Sequence, residues 1–224
     1  HQSDRPAVTI EGVARRDGYR RALADAGRRP RITINVIGHD WWWEVRYPNG
    51  AVSANEIHMP TGERVRLTLD TADVIHSFWI PRLGPKIDMV PGQHNQLWLE
   101  ATDPGVYRGQ CAEFCGLEHA LMSFLVIAET PDKYAAWLAH QRQDAPPPSN
   151  ELQTRGEQIF LTHSCAMCHT VQGTAAMGRV GPDLTHVGSR AELAAATLPN
   201  AKDHMMRWIE NPQALRPGVR TAIV

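Results

Sequence analysis

The sequence predicts a β-sandwich or β-barrel domain at residues 32–143, followed by a small, mostly α-helical domain at residues 151–224. The first part contains many short segments rich in β-branched residues, and Gly or Pro turn signals separate them, as in sandwiches and barrels. Three consecutive prolines occupy the linker at residues 144–150, and such a segment acts as a stiff, extended spacer. Beyond this linker, apolar residues recur with helical spacing.

Alternating apolar residues place the strands of the first domain. The expected strands are at residues 31–46, 63–70, 74–80, 94–100, 105–108 and 122–128. Pro60-Thr-Gly, Leu83-Gly-Pro, Pro91-Gly and Asp103-Pro-Gly supply turn signals between them. The pattern then changes to helical spacing at residues 131–143, where Tyr134, Trp137 and Leu138 share one face. In the second domain, helices are expected at residues 151–161, 191–196 and 202–210.

The charge is spread unevenly along the chain. Residues 1–31 form a lead-in segment with eight arginines against four acids and a helical pattern at residues 17–26, and a solvated tail explains them equally well. Residues 32–143 carry thirteen acids against eight bases. Such an acidic region can attract a basic protein partner, although a solvated face is the simpler interpretation. Nothing in the composition indicates a nucleic-acid partner.

No stretch approaches the ~18–20 consecutive apolar residues of a membrane helix. The chain begins with His1 rather than Met, so we expect a processed product or a part of a longer protein.

The most informative stretch is residues 111–122, in which soft metal ligands recur every three or four residues: Cys111, Cys115, His119 and Met122. Thiolate, thioether and imidazole together favour copper over hard cations. The two thiolates can bridge two metal ions from a tight loop. Each copper then needs an imidazole, for which His119 and, from elsewhere, His76 are the best candidates. Met122 would be a weak axial ligand, and the backbone carbonyl of Glu113 would complete the set.

From residue 73 to residue 138, the sequence resembles subunit II of haem–copper cytochrome c oxidases. The matching pieces are Val74-Ile-His76-Ser, Pro91-Gly92, Pro104-Gly105-Val-Tyr107 and residues 109–122. The resemblance implies a cupredoxin-like Greek-key barrel that holds the dinuclear copper centre CuA. It places the copper ligands at His76, Cys111, Glu113 (through its backbone), Cys115, His119 and Met122.

The same resemblance implies two further roles. The carboxylate of Glu113 would bind Mg²⁺ at the interface with the catalytic subunit, with the remaining ligands from another chain. Trp41, in the tract Trp41-Trp-Trp43-Glu44-Val, aligns with the tryptophan through which electrons enter. A plain exposed glutamate and a barrel-core tryptophan are the simpler alternatives, and Trp43 in particular suits the core because side chains alternate along a strand.

The second constellation is Cys165-Ala-Met-Cys168-His169, the covalent attachment motif for haem c. The two thiols add to the haem vinyl groups, and His169 ligates the iron. A zinc site or a redox dithiol would not need His169 at that position. Both cysteine pairs of the chain, 111/115 and 165/168, are closely spaced and stand next to His and Met, which argues against disulfides. Residues 151–218 resemble a class I cytochrome c domain, all-α, fused to subunit II. The stretches Gly181–Gly188 and Asn211–Gly218 also fit.

The distal haem ligand departs from the family pattern. The resemblance places a methionine about three residues after Pro217-Gly218, where this sequence has Thr221. Three explanations are open. The chain would continue beyond Val224 and supply a methionine from there, another methionine would substitute, or the iron would lack a protein ligand on that side. Met205 and Met206 lie on a predicted helix, where methionines are more often core residues. Met177, in a glycine-containing loop, is therefore the reserve candidate.

The resemblance implies an electron-transfer subunit of a respiratory terminal oxidase. Electrons would come from cytochrome c or quinol–cytochrome c reductase and pass from haem c to CuA, then to the catalytic subunit I, where O₂ is reduced. Two membrane helices would precede His1, with the redox domains on the periplasmic face of a bacterial cell membrane. The alternatives are the electron-delivering subunit of a CuA-containing nitric oxide reductase and a free periplasmic electron carrier or copper-handling protein.

Overall fold

The computed structural model describes residues 31–220. The expected helix at residues 17–26 and the expected distal position Thr221 lie outside the described residues. Two five-stranded sheets have the strand orders β3-β2-β1-β5-β8 and β4-β10-β9-β6-β7. Their strands are β1 (Ile32–His39), β2 (Trp42–Arg46), β3 (Val52–Ala54), β4 (Glu56–Pro60), β5 (Val65–Thr71), β6 (His76–Trp79), β7 (Ile87–Met89), β8 (Asn95–Leu99), β9 (Gly105–Cys111) and β10 (Ser123–Glu129).

One apolar core joins the two sheets. Strands β1 and β5 pair in parallel, and every second side chain along them is buried, as the alternating sequence predicts. Trp43 of the first sheet packs edge-on against Phe78 and Phe124 of the second, with ring centroids 5.7 Å and 5.1 Å away. Trp43 is fully buried, so it is a core residue, as its position in the strand predicts.

Three short strands, β3, β4 and β7, were not predicted. In β4 every residue is buried, so the period-two alternation that identifies a half-buried strand is missing. The cause is a helix that covers this strand: His58 of β4 stacks on Trp137 with ring centroids 3.9 Å apart. The sequence predicts that helix correctly, at α1 (Pro131–His140).

The remaining helices follow the linker. They are α2 (Glu151–Thr162), α3 (Cys165–Cys168), α4 (Lys202–Glu210) and α5 (Pro212–Leu215), with short 3₁₀ turns at His119–Leu121 and Val187–Ser189. Helix α2 starts after Asn150, whose side chain accepts a hydrogen bond from the Gln153 amide and so satisfies one free N–H of the first turn. Within residues 31–220, no helix combines the length and the hydropathy that crossing a membrane requires.

The expected helix at residues 191–196 is wrong. Strands β11 (Glu192–Leu193) and β12 (Leu198–Pro199) form a small hairpin there, and the three alanines at 194–196 have φ angles of 50°, 55° and 57°. Alanine favours helices, but here side chains from other parts of the chain form hydrogen bonds with the backbone of these residues. Arg216 and Arg108 donate to carbonyl oxygens of this turn, and the Glu56 carboxylate accepts from the amides at its start. Tertiary hydrogen bonds therefore override the local propensity.

Candidate copper and haem centres

The two ends of the loop at residues 111–122, here called the copper loop, are held together by paired strands. Strands β9 and β10 flank it, and their pairing ends with a hydrogen bond from the Cys111 amide to the Met122 carbonyl, at 2.9 Å. Strand β6 pairs with β9 on the other side, opposite Cys111. Since β6 begins at His76, the sheet brings a histidine 35 residues away in sequence to the base of the loop.

Three of the other expected ligand groups surround the Cys111 sulfur. Its Sγ lies 3.8 Å from Cys115 Sγ, 3.9 Å from His76 Nδ1 and 3.2 Å from the carbonyl oxygen of Glu113. His76 is fully buried, and both cysteine side chains are nearly so. The sulfur separation far exceeds the ~2.05 Å of a disulfide.

The Cys115 sulfur has the other two expected groups beside it. His119 Nδ1 is 3.6 Å away and Met122 Sδ is 3.8 Å away. Met122 is fully buried, whereas His119 is half-buried. All six groups that the sequence nominated thus converge on one pair of cysteines, with an imidazole beside each sulfur.

The electrostatics of the pair suit bound cations. The hydrogen bond with Cys115, helped by His76, lowers the pKa of Cys111 to about 3, although burial acts in the opposite direction. The hydrogen bond with Cys111 and burial raise the pKa of Cys115, and the negative charge of a Cys111 thiolate acts in the same direction. One proton therefore stays on the pair unless positive charge lies between the sulfurs. Metal ions with a preference for thiolate and imidazole fit this donor set.

A carboxylate orients His76. Its Nε2 lies 2.8 Å from Asp73 Oδ1, so in the neutral ring this nitrogen carries the hydrogen and Nδ1 is the electron-pair donor that faces Cys111. Burial alone would lower the pKa of His76, but the bonds to Asp73 and Cys111 raise it to about 9. The amides of Asp40 and Val74 donate to Asp73 and hold it in place. Nothing in the spacing of the sequence identified Asp73 as a partner of the histidine.

We expect Asp73→Asn to weaken copper binding by about 10–100-fold, because partners that orient a metal-bound histidine contribute on that scale. Competition with a chromogenic chelator measures the affinity. Asp88→Asn, at an exposed position of β7, is the matched control and should bind copper as the wild type does. An unchanged affinity in Asp73→Asn would show that the carboxylate does not support the site.

Gly38 in β1 was also missed by sequence reasoning. A Cβ at this position would lie 2.7 Å from Cδ2 of the His76 ring, closer than real Cβ contacts come. The absence of a side chain at Gly38 therefore makes the room that His76 occupies. Because the ring is fully buried and tied to Asp73, it cannot move aside freely.

We expect Gly38→Ala to lower the free energy of unfolding by about 1–3 kcal/mol, as overpacking does, and to weaken copper binding as well. Denaturant unfolding and copper titration measure the two effects. Gly188→Ala is the control, since a Cβ there meets nothing within 4 Å. A Gly38→Ala protein with wild-type stability and affinity would contradict this packing argument.

The structure places Trp41 against the copper loop. Its Nε1 donates to the carbonyl oxygen of Cys115 at 2.8 Å, and its ring fills the space beside Gly116, where a Cβ would come within 2.9 Å of it. Trp41 is only 7% exposed, and the guanidinium of Arg220 lies 5.4 Å from its ring centre. In contrast, the side chain of Glu113 is exposed, so its carboxylate is free to meet another chain.

The haem attachment motif forms a single helical turn. Cys165 and Cys168 stand three residues apart on α3, on one face, and the His169 amide bonds back to the Cys165 carbonyl. His169 Nδ1 donates to the Pro182 carbonyl at 2.7 Å, which leaves Nε2 as the free electron-pair donor. Gly181 packs under this ring, where a Cβ would be 2.6 Å from it.

The burial pattern of the chain after residue 150 fits a large apolar group. In the described part of the chain after residue 150, the buried hydrophobic residues are Ala176, Leu193, Ala195 and Ala196. Large apolar side chains are instead exposed: Leu152, Ile159, Met167, Met177, Val180, Met206 and Ile209. Exposed apolar surface on this scale indicates a binding partner, and a covalently held haem supplies one.

Met177 lies in a short β-bridge with Thr170, directly after His169, and is 72% exposed. An axial ligand opposite His169 must reach the iron from the other haem face, so this placement does not favour Met177. Met206 is half exposed on α4 and Met205 is half-buried beside it.

The fold and the ligand sets together define a copper-binding cupredoxin-like domain followed by a c-type cytochrome domain. Residues 51–129 match the family model described as cytochrome c oxidase subunit II, periplasmic domain, and residues 153–221 match cytochrome c. In solved structures, the periplasmic domain of subunit II of cytochrome oxidase (CoxB) of Bradyrhizobium japonicum is similar. It has a TM-score of 0.50 and 30% identity, and the match covers 51% of this chain and 96% of that one.

Relatives found by sequence belong to the same family. Cytochrome c oxidase subunit 2 of Alkalihalophilus pseudofirmus is 43% identical over 188 residues, which cover 84% of this chain and 54% of that protein. The subunit 2 of Oncopeltus fasciatus is 30% identical, over 59% of this chain and 68% of that protein. The chain belongs to the cytochrome c oxidase subunit II family. It spans between half and two thirds of the length of the bacterial relatives it matches first. Membership implies a copper centre of the CuA type and a haem c.

Proposed function

We propose that this chain is the electron-transfer subunit II of a terminal oxidase, and that it passes electrons from haem c to CuA and on to a catalytic subunit that reduces O₂ to water. The observation that carries the proposal is the convergence of six donor groups on Cys111 and Cys115, within 4 Å of one sulfur or the other. The cytochrome motif at residues 165–169 adds a second redox centre to the same chain.

The ligands proposed for CuA are His76, Cys111, the Glu113 carbonyl, Cys115, His119 and Met122. Bound copper would supply one-electron redox chemistry shared over two ions. The chain's own contribution is rigidity: the hydrogen bond across the base of the loop and the Asp73–His76 bond fix the donor atoms before any metal arrives. Burial of both cysteines keeps water away from the sulfurs.

For haem c, we propose covalent bonds through Cys165 and Cys168 and axial ligation by His169 Nε2. The Pro182 carbonyl holds the imidazole in the tautomer that ligation needs. We assign no distal ligand: the expected position holds Thr221, and the bridge of Met177 with Thr170 beside His169 does not favour this reserve candidate. The exposed Glu113 carboxylate would contribute one oxygen to Mg²⁺ at the contact with the catalytic subunit, and that subunit would supply the rest.

We further infer domain limits at residues 32–143 and 151–224, with residues 144–150 as linker. The redox domains would face the periplasm of a bacterial cell membrane, anchored by helices that precede His1 in the full protein. Subunit I is the proposed acceptor, and cytochrome c or quinol–cytochrome c reductase the proposed donor.

Purification of the native complex tests the proposal. We expect copper and haem c in this subunit, a-type haem with further copper in the catalytic partner, and uptake of O₂ with reduced cytochrome c. Turnover of NO in place of O₂ would assign the chain to a nitric oxide reductase. A chain that purifies alone, with no membrane partner, would leave a free periplasmic carrier.

A further inference from the structure

The segment at residues 216–220, here called the terminal segment, lies on the copper loop. Arg216 Nε donates to Glu118 Oε2 at 2.5 Å, and both side chains are only about 2% exposed. Arg216 Nη1 also donates to the carbonyl of Ala194 at 2.7 Å. The ion pair therefore joins two parts of the chain 98 residues apart in sequence.

The position of Glu118 makes this pair informative. Glu118 stands between Cys115 and His119 within the copper loop, and its carboxylate is bound by Arg216 of the cytochrome domain. Burying two charges costs free energy that their attraction only partly returns. The burial of Arg216 accordingly lowers the pKa of its guanidinium, and Glu118 only partly offsets this. A buried pair of this kind is better explained by the geometry it imposes than by the stability it adds.

Two further contacts of the terminal segment continue the same surface. Arg220 Nη2 lies 3.0 Å from Asp40 Oδ2, and its guanidinium covers the Trp41 ring. Gly218 packs on Leu117, so closely that a Cβ at this glycine would lie 3.1 Å from the leucine Cβ. The terminal segment thus touches the copper loop and the tryptophan bonded to it.

We propose that the outer face of the copper loop is the docking surface of the chain's own cytochrome domain, and that Glu118 and Arg216 are the positioning pair that fixes haem relative to copper. The inference rests on the proposed function, since it gives the contact a role in electron transfer. A linker alone leaves the orientation of two domains open, and polar interfaces within a chain permit relative motion. Because the docked segment covers Trp41, an external donor meets the cytochrome domain rather than the copper loop.

The test uses the full chain loaded with copper and haem c. Ferric haem shortens the electron-spin relaxation time of nearby copper, so pulsed EPR reports the distance between the centres, and flash reduction of the haem reports the transfer rate. We expect Glu118→Gln and Arg216→Gln each to shift the docked population by at least about tenfold, since each leaves one buried charge unpaired. The double variant should be no worse than either single variant, because the two residues act together.

Arg46→Gln is the matched control, since Arg46 pairs with Glu44 on the exposed surface of β2. An unchanged copper EPR line shape in Glu118→Gln separates undocking from damage at the neighbouring His119. Wild-type distances in both single variants, with only a lower melting temperature, would overturn the proposal and leave a structural ion pair. Independent, additive losses would also overturn it.

A second measurement tests the docking pair even if the proposed electron-transfer function is wrong. If the chain binds no copper or haem, hydrogen exchange at the amides of Ala191 and Glu192 reports docking instead, because these amides donate to Glu56 across the same domain contact. Faster exchange there in both single variants supports the docking pair, and unchanged exchange refutes it. O₂ uptake by the complex plays no part in either measurement.

Discussion

Cys115→Ser is expected to abolish the dinuclear copper centre. Cys115 Sγ lies beside Cys111, His119 and Met122 together, so the substitution removes the proposed bridging thiolate rather than a single contact. Serine oxygen is also a poor match for a soft ion. We expect the copper content to fall to at most one ion per chain. Electron transfer through the site should fall by more than the ~100-fold that loss of an outer-shell partner can cost.

Copper analysis and EPR of the purified chain measure this effect, and O₂ uptake by the assembled complex measures its consequence. Cys165→Ser is the reciprocal control: it should impair haem attachment and keep the copper complement. A Cys115→Ser chain that keeps both coppers and an unaltered EPR spectrum would show that the thiolates do not bridge the metal.

His169→Ala has the second large effect that we expect. It removes the imidazole that the Pro182 carbonyl orients and that we propose as a haem ligand, so stable haem ligation should be lost. Because the described residues after 150 bury so few large apolar side chains, a haem that is no longer ligated by His169 should also pack less firmly in the domain. Delivery of electrons from an external donor to copper should fall by at least about 100-fold, beyond the range for outer-shell partners.

Absorption spectra report the ligation of the haem, and limited proteolysis reports the folding of the cytochrome domain. We expect protease cleavage after residue 150 in His169→Ala, while the copper domain stays folded and keeps its metal. His163→Ala is the control, because His163 is an exposed histidine at the end of α2. Low-spin haem spectra and protease resistance in His169→Ala would contradict the role given to His169.

Sequence reasoning could nominate the candidate ligands because their chemistry is local. The copper loop carries its soft donors within twelve residues, and the haem motif carries its thiols and histidine within five. His76 lies outside the loop, but its strand and aromatic neighbours identified it. Most strands could also be predicted from the sequence, because apolar and polar residues alternate along a half-buried strand and the turns between strands favour Gly or Pro.

What the sequence could not provide depends on contacts between distant residues. The space that Gly38 leaves for His76 arises only when β1 lies beside that ring. The pairing of Glu118 with Arg216 has no local pattern at all. The same holds for residues 191–196, where alanine-rich sequence predicts a helix but arginines from two other elements bind the backbone and a hairpin forms.

Rapid mixing of the full chain, loaded with copper and haem c, with reduced cytochrome c tests the two-centre electron path most directly. We expect the haem band to show reduction first, followed by bleaching of the copper band as the haem is reoxidised. In the Cys165→Ser chain, copper reduction should slow by at least about 100-fold, because the terminal segment covers Trp41 and the haem is the point of access. Copper reduction at the wild-type rate without the haem would contradict the path from haem c to copper.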